Sequence, residues 1–195
     1  KRAKLVAFIE HLDYSIGTVI QALKDQGIYN NTLIIFTSDN GGHLPDLANN
    51  GPYRDGKQSM YEGGLRVPTC ISWPEIIEKG RISESNWLSM DLFHTILDIT
   101  GVQQDASFVG KSMLNELKNS SPDTMEIREM YFTRREGGAN YNADCSYAFR
   151  FGDWKLIRNY PGLPMELYNL KVDPFEKMNV IKENPKIFAD LNNRQ

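Results

Sequence analysis

The chain has 195 residues, of which 41% are hydrophobic and 24% charged, a composition typical of a globular protein with a sizeable core. Its 22 basic and 25 acidic side chains give a net charge of −3, which excludes the basic surface of a nucleic-acid-binding protein. No apolar run approaches the roughly 18 residues that a membrane span needs, so we expect neither a nucleic-acid partner nor a membrane span.

A helix is the first predicted element, from Leu5 to Leu23, where apolar residues recur at steps of three and four. This spacing places them on one stripe that we expect to be buried, and Gly27 is suited to end the helix. The chain opens inside this pattern and without Met, so we expect it to be a piece of a longer protein.

Two short strands are predicted next, and a long loop connects them. Leu33–Phe36 ("LIIF") is an apolar run typical of a strand buried on both faces, and Val67–Pro74 ("VPTCISWP") predicts a second strand. A helix followed by such a strand indicates an α/β layer. The loop, Thr37–Pro68, contains six glycines and leaves the carboxyl end of the first strand. Open α/β sheets usually bind ligands at that end.

A second helix is predicted after a short extended segment at Ile82–Met90. Asp91 lies where an N-cap belongs, and Gly101 is suited to end this helix. The rising polarity of residues 108–123 indicates a linker. We therefore predict two domains, residues 1–115 and 124–195.

The second domain is predicted to be a small antiparallel sheet. Three segments alternate and are rich in aromatic residues, and Gly152-Asp153 falls where a hairpin turn belongs. We expect a short helix from Pro185 onward to close this sheet.

The loop carries residues that suit the binding of a cation and an anion. Asp39 and Asn40 offer two hard oxygen donors, although the same "DNGG" run is also good turn chemistry. Lys57 lies in a glycine-rich segment, where it is either an anion-binding point charge or a solvated lysine, and Arg54 has the same two interpretations. His43 could be a general acid, a substrate contact or an ordinary loop residue.

Five blocks of the sequence, in order, resemble the sulfatase family. The blocks are "NTLIIFTSDNGG", "GPYRDGKQSMYEGGLRVP", "MDLFHTILDITG", "GDWKLI" and "ELYNLKVDPFEKMNV". The resemblance implies the C-terminal part of an alkaline-phosphatase-like α/β sandwich, followed by a small antiparallel-sheet α+β subdomain. It also implies a sulfuric ester hydrolase that uses calcium and a formylglycine nucleophile. Where the family usually has glycine after the arginine, this chain has Asp55.

Residue by residue, the resemblance implies that Asp39 and Asn40 are calcium ligands and that Lys57 is a catalytic residue that contacts the sulfate. We assign His43 and Arg54 to substrate binding as well, although His43 matches no invariant position of the family. The substrate would be a sulfated small molecule or glycan. The family is commonly periplasmic, extracellular or lysosomal.

The family's nucleophile motif, Cys/Ser-x-Pro-Ser-Arg, does not occur in the sequence. We therefore expect the formylglycine, and the remaining calcium ligands, to lie on a preceding half. Alone, the chain should be inactive, and its incomplete sheet should make it marginally stable or cause self-association. Two other functions stay open, namely a phosphonate or phosphate monoester hydrolase of the same superfamily and a non-catalytic module.

Overall fold

The computed structural model of the protein describes residues 1–103, 109–118, 127–135, 145–159 and 162–194. Its helices are α1 (Arg2–Asp25), α2 (Glu62–Leu65), α3 (Ser89–Thr100), α4 (Leu114–Lys118) and α5 (Pro185–Arg194). Its strands are β1 (Ile34–Thr37), β2 (Thr69–Ser72), β3 (Glu129–Arg135), β4 (Cys145–Phe151), β5 (Trp154–Arg158) and β6 (Glu166–Asn169). Among these described residues, no helix combines the length and the apolar character that crossing a membrane requires.

Helix α1 confirms the first predicted helix and extends it at both ends. Gly27 has φ +71° just beyond it, the left-handed conformation that favours glycine after a helix. The prediction of a buried stripe is wrong, because no residue of α1 is buried in the described structure. Phe8 is 73% exposed and Leu12 50%. The amphipathic pattern correctly predicts a helix, but the described residues do not cover its apolar face.

Strands β1 and β2 confirm the two predicted strands and pair as a two-stranded sheet. The hydroxyls of Thr37 and Thr69, one on each strand, are 2.9 Å apart. The predicted burial of the first strand on both faces is wrong. Ile34 and Ile35 are half-buried and Phe36 is 41% exposed, because the described part of this sheet consists of these two strands alone.

Helix α3 begins three residues earlier than predicted. Asp91 is its third residue rather than its N-cap, and its Oδ2 accepts the main-chain N–H of Leu88 at 2.6 Å. The carboxylate therefore caps the helix from inside the first turn. Gly101 has φ +70° and ends the helix as predicted. The extended segment predicted before it is irregular over residues 82–88, and Ser89 and Met90 already belong to α3.

The predicted linker at residues 108–123 lies partly outside the described residues. Its described part contains α4. By contacts between residues, the chain divides into two compact units. One contains residues 1–16, 36–70 and 127–195, and the other contains residues 17–35 and 71–126. The predicted domains 1–115 and 124–195 stay a prediction.

The predicted small antiparallel sheet is confirmed, with the strand order β3-β4-β5-β6. Phe151 of β4 pairs with Trp154 of β5 across the predicted hairpin, where Gly152 has φ +57°. Helix α5 confirms the predicted terminal helix, and its Leu191 is 2% exposed.

The two faces of this sheet pack against different parts of the same unit. Side chains alternate between faces along a strand, so adjacent core residues belong to two clusters. One cluster contains Phe149, Leu156, Leu167 and Leu191. The other contains Ala148, Ile157, Tyr168 and Leu170 with Met60 and Tyr61 from the glycine-rich loop. The glycine-rich loop therefore packs against one face of this sheet.

Candidate functional site

Main-chain hydrogen bonds join the two segments of the loop that carry the predicted site residues. Gly41 N–H donates to Gly64 O at 2.9 Å, and Lys57 N–H donates to Gly42 O at 3.1 Å. The turn that follows Asp39 and Asn40 thus lies directly against the segment of Lys57. The structure brings together the backbone of the predicted cation and anion sites.

Glycines make this close approach possible. A Cβ on Gly41 would lie 1.7 Å from the carbonyl oxygen of Gly63, and one on Gly56 would lie 2.3 Å from the carbonyl oxygen of Gly42. Both contacts are with backbone, which cannot rotate away. Gly41 and Gly56 are therefore required by packing between the two segments, beyond any role in turn formation.

Asn50 holds the two segments together, a role that sequence reasoning missed. Its Oδ1 accepts Gly42 N–H at 2.7 Å, while its Nδ2 donates to Gly42 O at 3.1 Å and to Asp55 O at 2.8 Å. One amide therefore satisfies three backbone groups. The only signal in the sequence is an asparagine in a turn-rich run, which does not distinguish it from Asn49.

Asp39 and Asn40 follow β1 after one intervening residue, Ser38. Asp39 is exposed, and Asn40 is half-buried with its Nδ2 donating to Gly41 O at 3.1 Å. The side-chain nitrogen of Asn40 is thus used within the loop, and its Oδ1 is the atom suited to a cation. An exposed carboxylate beside an amide oxygen fits calcium in donor chemistry.

These two residues would supply only part of a calcium shell, because calcium takes about six to eight oxygen ligands. In the part of the chain that the structure describes, no three His, Cys, Asp or Glu side chains are grouped so that they could hold a metal ion. Any further protein ligands must come from elsewhere.

Lys57 points its charge away from the packed interior. The residue is exposed, and within the described ranges its ammonium group has no hydrogen bond or ion pair. Its neighbours Asp55 and Gln58 have φ of 61° and 82°, which is uncommon for residues with a side chain. Asp55 supports its own conformation by accepting Gly56 N–H at 2.8 Å. This left-handed backbone explains why glycine suits position 55.

His43 is paired with an acid of the same loop. Its Nδ1 lies 2.7 Å from Asp46 Oδ2, and the two side chains are 41% and 69% exposed. The hydrogen bond from His43 lowers the pKa of the Asp46 carboxyl. Because Nδ1 is engaged, Nε2 is the ring nitrogen left to meet a substrate. The substrate contact itself stays a prediction.

Arg54 is tied to the small sheet. Its Nη1 donates to Tyr168 Oη at 2.8 Å and to Glu176 O at 3.0 Å, and its guanidinium carbon lies 3.8 Å from the ring centre of Tyr61. These contacts give Arg54 a structural role in seating the loop. Its predicted role in substrate binding is tested by none of them and stays a prediction.

A carboxylate and two phenols extend this contact. Glu166 Oε2 accepts from Tyr61 Oη at 2.5 Å and from Tyr168 Oη at 2.9 Å. Burial, reinforced by the adjacent carboxylate, raises the pKa of both phenols well above the ordinary value. The phenols therefore stay protonated and act as hydrogen-bond donors.

A buried lysine forms the deepest polar contact between loop and sheet. The Nζ of Lys155 lies 2.8 Å from Glu62 Oε1 and 2.8 Å from Glu176 Oε1, and its side chain is 0% exposed. Glu176 Oε2 also accepts the main-chain N–H of Glu62 at 2.6 Å. Burial alone would raise the pKa of Glu62, but attraction to Lys155 outweighs it and lowers that pKa. For Glu176 burial prevails, so its pKa is raised.

Comparisons with known proteins identify the family of this chain. Residues 1–102 match the family model described as Sulfatase, and residues 53–194 match the model described as N-sulphoglucosamine sulphohydrolase, C-terminal. The chain belongs to the sulfatase family, and the predicted resemblance is confirmed.

Two relatives are similar over nearly the whole chain. A sulfatase of Formosa agariphila is 32% identical over 94% of this chain and 36% of its own length. Arylsulfatase K of Danio rerio is 33% identical over 97% of this chain and 35% of its own length. The chain thus spans about a third of the length of these relatives.

Solved structures confirm the fold class. The protein Ps i-CgsB in complex with k-i-k-neocarrahexaose has a TM-score of 0.80 and 30% identity, covering 93% of this chain and 39% of its own. A protein solved with its substrate D-glucosamine-2-N,6-O-disulfate has a TM-score of 0.79 and 28% identity, covering 95% and 37%. Phosphonate monoester hydrolase of Agrobacterium radiobacter has a TM-score of 0.69 and 27% identity, covering 95% and 38%.

Proposed function

We propose that this chain forms one wall of the active site of a sulfatase that hydrolyses sulfate esters. One observation carries the proposal: the main-chain bond from Lys57 N–H to Gly42 O joins the segment of the exposed Lys57 to the turn that follows Asp39 and Asn40. A cation site next to a positively charged side chain suits a tetrahedral oxyanion. Because the chain belongs to the sulfatase family, we propose that this oxyanion is the sulfate group of a sulfate ester.

Each residue has a distinct part in this proposal. Asp39 Oδ and Asn40 Oδ1 would hold calcium, which when bound supplies positive charge to the sulfate oxygens. Lys57 would bind a sulfate oxygen and stabilise the negative charge that grows as the ester S–O bond breaks, without transferring a proton. The formylglycine nucleophile would come from residues outside this chain, because its precursor motif is absent from the sequence.

The proposed substrate is a sulfated small molecule or glycan. The substrate in one similar structure is a disulfated glucosamine, and one relative from Bacteroides thetaiotaomicron is named N-acetylgalactosamine-6-O-sulfatase. We assign two side chains of this wall, His43 (through Nε2) and Arg54, to binding the alcohol part of the substrate.

A phosphonate or phosphate monoester hydrolase is the second candidate. The similarity to a phosphonate monoester hydrolase supports it, since both oxyanions are tetrahedral and suit the same charges. Parallel assays of the full-length protein with matched aryl sulfate, phosphate and phosphonate esters distinguish the two. Faster turnover of the sulfate ester supports the first proposal, and faster turnover of either phosphorus ester supports the second. A protein that turns over none of them and binds no calcium by calorimetry is the non-catalytic module.

Substituting Lys57 tests the assignment directly. In the full-length protein we expect Lys57→Ala to lower kcat/KM for the sulfate ester by about 100-fold, the typical loss when one charge-stabilising group is removed. Lys171→Ala is the matched control, because Lys171 is an exposed lysine of the small-sheet region. Equal activity of Lys57→Ala and the control would rule out the role of Lys57.

A further inference from the structure

Lys155 connects the sheet to the segment that carries Lys57. It lies on β5, and its partner Glu62 follows Lys57 by five residues. We propose that Lys155, Glu62 and Glu176, which we call the clamp, form a positioning device that holds Lys57 in register with the turn at Asp39. This inference rests on the proposed function and assigns to the three residues a positioning role rather than a catalytic one.

The path from the clamp to the site is short and runs through backbone. Glu62 opens α2, and the next two residues form the junction with the rest of the loop. Gly63 N–H donates to Arg54 O at 2.9 Å, and Gly64 O accepts Gly41 N–H at 2.9 Å. A shift of Glu62 would therefore also move the loop segments of Arg54 and Gly41, which lie on either side of the Lys57 segment.

Glu176 anchors the clamp from the opposite side. It has φ 55°, a left-handed conformation that is uncommon for a residue with a side chain. Three contacts enforce it: Oε1 with Lys155, Oε2 with Glu62 N–H, and its main-chain oxygen with Arg54. Glu176 therefore holds both ends of the segment that contains Lys57.

The charges of the clamp suit a role in fixing the position of the loop rather than in raising the overall stability of the fold. One ammonium faces two carboxylates, and the side chains of Lys155 and Glu176 are both 0% exposed. Arg150 and Arg66 add positive charge around Glu62. An apolar cluster of the same volume would stabilise a fold as well as such an ion-pair cluster does. The directional bonds from Lys155 instead specify one position of the loop.

Glu62→Met in the full-length protein tests this role. Methionine keeps the length of the side chain but has no charge and only a weakly accepting sulfur, while Lys155 keeps Glu176 as its counter-ion. We expect the amides of Gly41, Lys57 and Gly63 to exchange with deuterium about tenfold faster, because the loop opens locally. The amide of Phe149, in the sheet core, should keep its exchange rate. For the sulfate ester, kcat should fall about tenfold while KM changes little, since misplaced Lys57 acts mainly in the transition state.

Two further variants sharpen the result. Glu62→Gln keeps an oxygen that can accept from Lys155, so it should restore most of the lost exchange protection and kcat. Glu183→Gln is the matched control at an exposed glutamate, and neither quantity should change.

Unchanged exchange of the three loop amides in folded Glu62→Met would overturn the proposal. If that variant does not fold, the combined variant Lys155→Met, Glu62→Met, Glu176→Gln removes every charge of the clamp, and unchanged loop exchange in it would overturn the proposal equally. The exchange readout is independent of chemistry. A wild-type protein that hydrolyses no ester therefore contradicts the proposed function, while loop exchange still decides the role of the clamp.

Discussion

The side chain of Asn50 forms hydrogen bonds with both main-chain polar groups of Gly42. It accepts the glycine N–H at 2.7 Å and donates to the glycine carbonyl oxygen at 3.1 Å. The same carbonyl accepts Lys57 N–H, so Gly42 is the point where the proposed cation and anion sites meet. The side-chain amide of Asn50 therefore joins two loop segments, and no short sequence motif predicts this contact.

Asn50→Ala should destabilise the protein by about 2–3 kcal/mol, since it removes three hydrogen bonds worth roughly 1 kcal/mol each. Asn49→Ala is the matched control, because Asn49 makes one hydrogen bond, to exposed Gly51 N–H. Chemical denaturation measures both losses. Equal losses in the two variants would contradict the role assigned to Asn50.

Alanine substitutions at two glycines should change stability in opposite directions. At Gly41 the new Cβ would lie 1.7 Å from Gly63 O, so Gly41→Ala must separate the two loop segments and should cost about 3 kcal/mol. Gly17 lies in α1 with nothing within 4 Å of the added atom. Gly17→Ala should therefore stabilise the protein by about 0.5–1 kcal/mol through helix propensity. Denaturation midpoints measure both, and stabilisation by Gly41→Ala would refute the packing argument.

The His43–Asp46 pair should lower the pKa of the Asp46 carboxyl. The hydrogen bond from His43 lowers the carboxyl pKa below 3.8, so the pair contributes stability above that pH and loses it as the pH falls through the lowered pKa. A carbon-detected NMR titration of Asp46 measures the pKa. His43→Gln should raise it toward 3.8, whereas the control His11→Gln, at an exposed position of α1, should leave it unchanged. A pKa that does not respond to His43→Gln would contradict the pairing.

Tyr61 and Tyr168 should resist ionisation in alkaline solution. Burial and Glu166 raise the pKa of both phenols above the ordinary value of 10.0, so the folded state gains stability below pH 10 and loses it as the pH rises further. In an absorbance titration, Tyr61 and Tyr168 should ionise only when the protein unfolds.

Tyr168→Phe provides the check on that titration. It should leave the amplitude below the unfolding transition unchanged and remove one tyrosine from the amplitude of the transition itself. Loss of amplitude before unfolding would show that Tyr168 ionises freely in the folded protein.

Local patterns predicted the secondary structure well where the decisive contacts are close in the chain. The hairpin at Gly152, the four-stranded sheet, the helix from Pro185 and the left-handed glycines at positions 27 and 101 all follow from alternation or from turn chemistry. Errors appeared where distant residues decide burial. The apolar stripe of α1 predicts a covered face, yet periodicity states only that a face exists and not what lies against it.

The sequence alone indicated the sulfatase family, the order of the elements, and Asp39, Asn40 and Lys57 as the residues to examine, because short local patterns, repeated in order along the chain, are enough to predict them. Only the tertiary structure revealed that Gly42 joins their segments, that Arg54 binds Tyr168 and that Lys155 binds Glu62. The last two pairs are 114 and 93 residues apart in the chain. A charge at one position does not specify its partner at such a distance, because the partner is chosen by the packing of the sheet against the loop.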